Sequence, residues 1–158
     1  MSVAFTREED YEATAADLPD RPISPHPNLV TSEGLVQLDA ALAEARAAYT
    51  AAQSAGGVDA DRTAMARATR DLRYYSARRA SAQLTEPDRS RDVVQFGGAL
   101  TIERADGRKQ TFRIVGEDEA DPARGSISHV SPLAQAALGK QVGDAFAVAG
   151  DEVEILSL

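Results

Sequence analysis

The chain has no cysteine and no tryptophan, carries two histidines, and only 5% of its 158 residues are aromatic. Without cysteine there is no disulfide framework, thiolate metal site or cysteine nucleophile. His26 and His129 lie too far apart in sequence to form a local zinc motif. A phosphate-binding loop, a Gly-x-Ser-x-Gly elbow, a dinucleotide fingerprint and a His-Glu-x-x-His pair are missing too, so no sequence-local enzyme motif is present. No run of about 18 apolar residues occurs, and the acid-rich stretch from Met1 to Asp20 is unlike a secretory signal. These absences point to a soluble, cytoplasmic protein with no membrane partner.

Charge is plentiful and unevenly placed. The 17 Lys+Arg and 25 Asp+Glu give a net charge of −8. Residues 1–61 carry eleven acids and three bases, residues 62–91 three acids and eight arginines, and residues 92–158 eleven acids and six bases. The central block, which includes Arg67 and Arg70, reads either as a solvated helix face paired with the acidic helix before it or as a surface facing nucleic acid. The acidic flanks argue against a general duplex-DNA binder, whose footprint is normally basic.

Pro19, Pro22, Pro25 and Pro27 make residues 1–28 an extended arm that Leu18, Ile23 and Leu29 can dock onto the body. From there Thr31 or Ser32 can cap a helix over Ser32–Ser54, with Leu35, Leu38, Leu42, Ala45 and Tyr49 at helical spacing. Gly56-Gly57 breaks it. Asp59 is placed to cap a second helix, striped by Met65, Ala68, Leu72, Tyr75 and Ala82, that runs to about Leu84. A short turn between long helices makes them antiparallel, and the narrow alanine-rich seam suits a coiled-coil hairpin over residues 29–86. Residues 92–158 then switch to β-like runs: Val93–Phe96, Ala99–Arg104, Gln110–Val115, Ser126–Val130, Ala145–Val148 and Glu152–Leu156. Asp106-Gly107 marks a hairpin turn. Ser131, Pro132 and Gly139 mark the cap, first residue and end of one short helix through about Leu138. The fold class is α+β, a helical hairpin followed by a small antiparallel sheet with one helix.

Two carboxylates at the hairpin turn, Asp59 and Asp61, can share a magnesium ion with groups on a partner, while Asp59 also has a sufficient role as helix cap. The run Glu117-Asp118-Glu119-Ala120-Asp121 lacks the ligand alternation of a calcium loop and reads as a solvated loop. His129, in an apolar-flanked strand, and His26, between two prolines, each read as a packed or solvent-facing residue and not as a catalytic one.

The segments Ile114-Val115-Gly116-Glu117-Asp118-Glu119-Ala120-Asp121, Gly125-Ser126-Ile127-Ser128, Ser131-Pro132-Leu133-Ala134-Gln135-Ala136-Ala137-Leu138-Gly139-Lys140 and Val142-Gly143-Asp144 closely resemble the C-terminal domain of the GreA/GreB transcript cleavage factors. Asn28-Leu29-Val30-Thr31-Ser32-Glu33-Gly34 resembles the start of that family's coiled coil, and Val94-Gln95-Phe96-Gly97 the beginning of its globular domain. The resemblance covers residues 28–158. It implies an FKBP-like C-terminal domain that docks on RNA polymerase at the secondary channel, with the hairpin inserted toward the active site beside nascent RNA and DNA. It further implies a polymerase contact at Ser131, Pro132, Leu133, Leu138, Gly139 and Lys140, no catalytic centre or cofactor of the factor's own, and association with the nucleoid through polymerase. Cleavage-stimulating members carry Asp-x-x-Glu-Asn-Ala-x-Tyr at the tip, whose acids help hold a Mg²⁺ ion of the polymerase. This chain has the shorter Gly-Gly-Val-Asp-Ala-Asp instead. Two mechanisms are therefore open, delivery of Mg²⁺ by Asp59 and Asp61 or occupancy of the channel without cleavage. Rival readings are a peptide-binding or prolyl-isomerase-like module and a self-associating hairpin; Arg78 and Arg79 near the seam favour a monomer.

Overall fold

A computed structural model describes residues 18–55 and 61–158. The chain is α+β, with two long helices, α1 (Ser32–Ser54) and α2 (Arg62–Ser81), followed by an antiparallel-rich sheet. It divides into two compact units. One comprises Leu38–Ser81 with the described part of the stretch ending at Pro25, and the other comprises His26–Gln37 with Ala82–Leu158.

In the helical unit, Leu38, Leu42 and Ala45 of α1 and Ala68 and Arg78 of α2 are buried. Ala41, Glu44, Ala45 and Ala48 face Ala68, Asp71 and Tyr75 across one small cavity, and Arg79 pairs with Asp39. Early residues of α1 thus meet late residues of α2, which makes the helices antiparallel. α2 ends at Ser81 rather than Leu84. Gln83–Leu84 form a short strand, β2, parallel to β1 (Leu29–Val30), with Gln83 N–H donating to Asn28 O and Thr85 N–H to Val30 O. Backbone pairing with a distant segment ends the helix before Pro87 does.

The second unit is built on a five-stranded sheet of order β5-β4-β3-β7-β6, with β3 at Ala99–Arg104, β4 at Lys109–Val115, β5 at Ser126–Ser128, β6 at Ala145–Val148 and β7 at Asp151–Ser157. Alternating residues of the central strands, Leu100, Ile102, Ile114, Val153 and Ile155, close with Val94, Phe96, Ile127, Ala134 and Ala137 into one core. The sheet is not wholly antiparallel, because β5 runs parallel to β4 after a 3₁₀ turn at Pro122–Arg124. Val93–Phe96 is buried in part but is no strand. Its one ladder-like link is between Val94 and the end of the short helix α3 (Pro132–Ala137), through Val94 N–H to Lys140 O and Gly139 N–H to Val94 O. Ser131 caps α3 by accepting from Ala134 N–H, and Gly139 takes φ +82°, a conformation that suits glycine.

The acidic run is not merely solvated. Thr31 caps α1, its Oγ1 accepting from Gly34 N–H at 3.0 Å and donating to Glu119 Oε2 at 2.6 Å. The Glu119 carboxylate thereby lies against the first turn of α1, where unpaired amides favour negative charge. Two glycines leave room for this approach. A Cβ on Gly34 would come within 2.6 Å of Glu119 Oε2, and one on Gly116 within 2.5 Å of Leu29 O.

Candidate functional site

Three places in the chain carry the residues that sequence reasoning singled out. At the hairpin turn, Asp59 lies outside the described residues. Asp61 caps α2. Its Oδ1 accepts from Thr63 N–H at 3.0 Å and Ala64 N–H at 3.1 Å, while its carbonyl accepts from Met65 N–H. A carboxylate turned back onto its own helix has one oxygen fully engaged. No group of three or more His, Asp or Glu side chains suited to a metal occurs among the described residues.

The second place is the arginine face of α2. Arg62, Met65, Ala66, Thr69, Arg70 and Arg73 recur at helical spacing and, with Leu18 and Asp20 of the proline-rich arm, line a cavity of about 510 Å³. The arm lies along this helix, since Arg73 Nη1 is 3.2 Å from Asp20 Oδ1 and Arg21 Nη1 is 3.6 Å from Asp71 Oδ1. The Arg21 guanidinium sits 3.8 Å from the Tyr74 ring centre and 5.2 Å from that of Tyr75, and the two tyrosines meet edge to face. A hydrogen bond with Tyr75 holds Arg21 more firmly protonated than usual, with smaller contributions from Tyr74 and Asp71. Arg70 pairs with its neighbour Asp71, and Arg67 is exposed. Arg73 thus meets the arm and Arg70 its own helix, while Arg79 pairs with Asp39 of the preceding helix. Asp20, Arg21 and Tyr74 were not singled out from sequence, and Tyr75 only as a member of the apolar stripe; the available signal was a charged dipeptide among prolines and a Tyr-Tyr pair beside Arg73.

The third place is the loop around α3. Ser131 is spent on the cap, and Leu133 and Leu138 pack against the core, so they anchor the helix to the sheet. Pro132 and Gly139 are exposed, and Lys140 Nζ lies 6.0 Å from the Phe146 ring centre. His129 is buried, edge-on to Phe96, and its carbonyl accepts from Gln135 Nε2. No helix among the described residues is long and apolar enough to cross a membrane.

Residues 88–157 match the family model described as "Transcription elongation factor, GreA/GreB, C-term". The chain is 37% identical over 117 residues to the transcription elongation factor GreA of Nitratidesulfovibrio vulgaris, covering 73% of this chain and 69% of that protein. It is 42% identical over 94 residues to GreA of Desulfovibrio desulfuricans. There the match spans 58% of this chain and 58% of the relative, so somewhat over half of each protein is aligned. The crystal structure of GreA factor homolog 1 of Thermus thermophilus aligns over 84% of this chain and 98% of its own, at 20% identity and a TM-score of 0.39.

Proposed function

Because the chain belongs to the GreA/GreB family, we propose that it regulates transcription elongation by binding RNA polymerase at the secondary channel, where its hairpin occupies the channel without delivering Mg²⁺ for RNA cleavage. The observation that carries the second half of this reading is Asp61, whose carboxylate is used as the cap of α2. An acid held by two backbone amides is poorly placed to bridge to a metal in a partner's site, where a displacement of about 1 Å already costs about 10²-fold in rate. Pro132, Gly139 and Lys140 are the members of the α3 loop left to meet polymerase, with Leu133 and Leu138 supporting them from beneath. Arg70, on the arginine face of α2, and the exposed Arg67 are the residues that would meet the transcript. Any catalysis belongs to the polymerase in this reading.

The test is a stalled, backtracked elongation complex with and without the protein, read for RNA cleavage, beside a pull-down under the same conditions. Binding with no increase in cleavage is expected. Mg²⁺-dependent cleavage that disappears in the Asp59→Ala, Asp61→Ala double variant would overturn channel occupancy in favour of a rebuilt catalytic tip. Failure to bind polymerase would overturn the functional reading altogether.

A further inference from the structure

We propose that the Leu18–Arg21 stretch is a built-in competitor of single-stranded RNA for the arginine face of α2, an inference that rests on the transcript-facing reading of that face. Single strands present phosphates alternating with flat bases, and proteins hold them by combining cationic side chains with aromatic platforms on which bases stack. Arg73 and Tyr74 supply one of each on adjacent residues, and the strap fills both. The Asp20 carboxylate stands 3.2 Å from Arg73, where a phosphate would sit. The flat Arg21 guanidinium lies 3.8 Å from the centre of the Tyr74 ring, where a base would stack. Consecutive strap residues thus imitate one phosphate and one base.

The surface continues past what the strap fills. The cavity of about 510 Å³ runs on to Arg70 and Arg62 and includes the apolar side chains of Met65 and Ala66. That volume is within the range of small-ligand pockets, about 300–1,000 Å³, and its combination of cationic and apolar lining suits a nucleotide unit. The ion pair that occupies the phosphate position is weak enough to be displaced. The Arg73 and Asp20 side chains are 67% and 63% exposed, and ion pairs so open to water contribute little. A strand that neutralises several arginines at once replaces that pair and gains counterion release as well.

The test uses the full chain with Asp20→Ala and Arg21→Ala together. This change removes one charge of each sign, so net charge and long-range attraction are unaltered. Binding of a fluorescently labelled single-stranded oligoribonucleotide is followed by anisotropy at low salt. Freeing the face should tighten binding about fivefold, since apparent affinity scales with the fraction of open surface. Adding Tyr74→Ala should abolish that gain. Equal affinity of the double variant and the unaltered chain would overturn the strap while leaving the transcript-facing reading intact. Weaker binding by the double variant would make the strap part of the binding surface and overturn competition, and a gain that survives Tyr74→Ala would overturn the base-mimic argument. No RNA binding by either protein would overturn the transcript-facing reading and this inference with it.

Discussion

Gly116 leaves no room for a side chain between the acidic loop and β1, and replacing it by alanine tests whether that approach holds the second unit together. The new Cβ would lie 2.5 Å from Leu29 O, 3.6 Å from Leu29 C and 3.7 Å from Val30 Cα. All three are backbone atoms, so the strain cannot be relieved by turning a side chain. β1 must shift, and it carries the hydrogen bonds from Gln83 N–H to Asn28 O at 2.8 Å and from Thr85 N–H to Val30 O at 2.9 Å. Overpacking of this kind costs about 1–3 kcal/mol. For a chain of this size that corresponds to a fall of about 3–10 °C in Tm. Hydrogen exchange should show the loss first at the Gln83 and Thr85 amides. Gly34→Ala is the internal control, because its Cβ would meet Glu119 Oε2, the mobile end of a side chain, at 2.6 Å. There the cost is the Thr31–Glu119 hydrogen bond, about 1.5–3 kcal/mol for a charged acceptor, offset by about 1 kcal/mol from alanine's better helix propensity. If Gly116→Ala leaves both Tm and the two amides unchanged, the close approach of β1 is not a structural requirement and the reasoning fails.

Asp61→Ala should lower helix stability by about 1 kcal/mol through loss of the cap, whereas Asp61→Asn, an equally good cap, should leave far-UV circular dichroism melts unchanged. A melt shifted as much by asparagine as by alanine would show that the charge, and not the cap, is what matters there. The Glu33 carboxylate titrates below its ordinary value of 4.5, chiefly because it accepts from its own backbone N–H at the start of α1, then through Arg113 and Ser32. The stability it adds is therefore present above that ordinary value and is lost as pH falls through the lowered one, so Glu33→Gln should flatten the acid limb of a denaturation series. An acid limb identical in the two proteins would refute that assignment.

The order of elements, α1 and the short helix α3 were legible because their signals are local: Thr31 and Ser131 as caps, Pro132 at a first helical position, Gly139 just past an end. The misread features depend on partners far along the chain. Gln83–Leu84 continues the apolar stripe of α2 well enough to read as helix, and only pairing with Leu29–Val30 makes it a strand. Asp59 and Asp61 satisfy the same capping rule two residues apart; Asp61 is seen to cap α2, and Asp59 lies outside the described residues. Glu119 looked like one acid among several in a loop. Its position against α1 follows from Gly34 and Gly116, whose missing side chains are informative only once the two segments are known to meet.

The same contrast sorts the acids of the chain by what they can do. Glu119 receives its hydrogen bond from Thr31, which is 2% exposed, at a helix terminus whose amides need an acceptor. Removing that carboxylate leaves the buried Thr31 hydroxyl without its acceptor and loosens the contact between the loop and α1. Asp20 is the opposite case. Its pair with Arg73 is mostly in water, so a phosphate can take its place at little cost to the fold. Acids of the first kind fix the structure, and acids of the second kind are exchangeable. Within the arginine block, Arg73 is therefore neutralised in a way that can be reversed, which is the property the proposed competition with RNA requires.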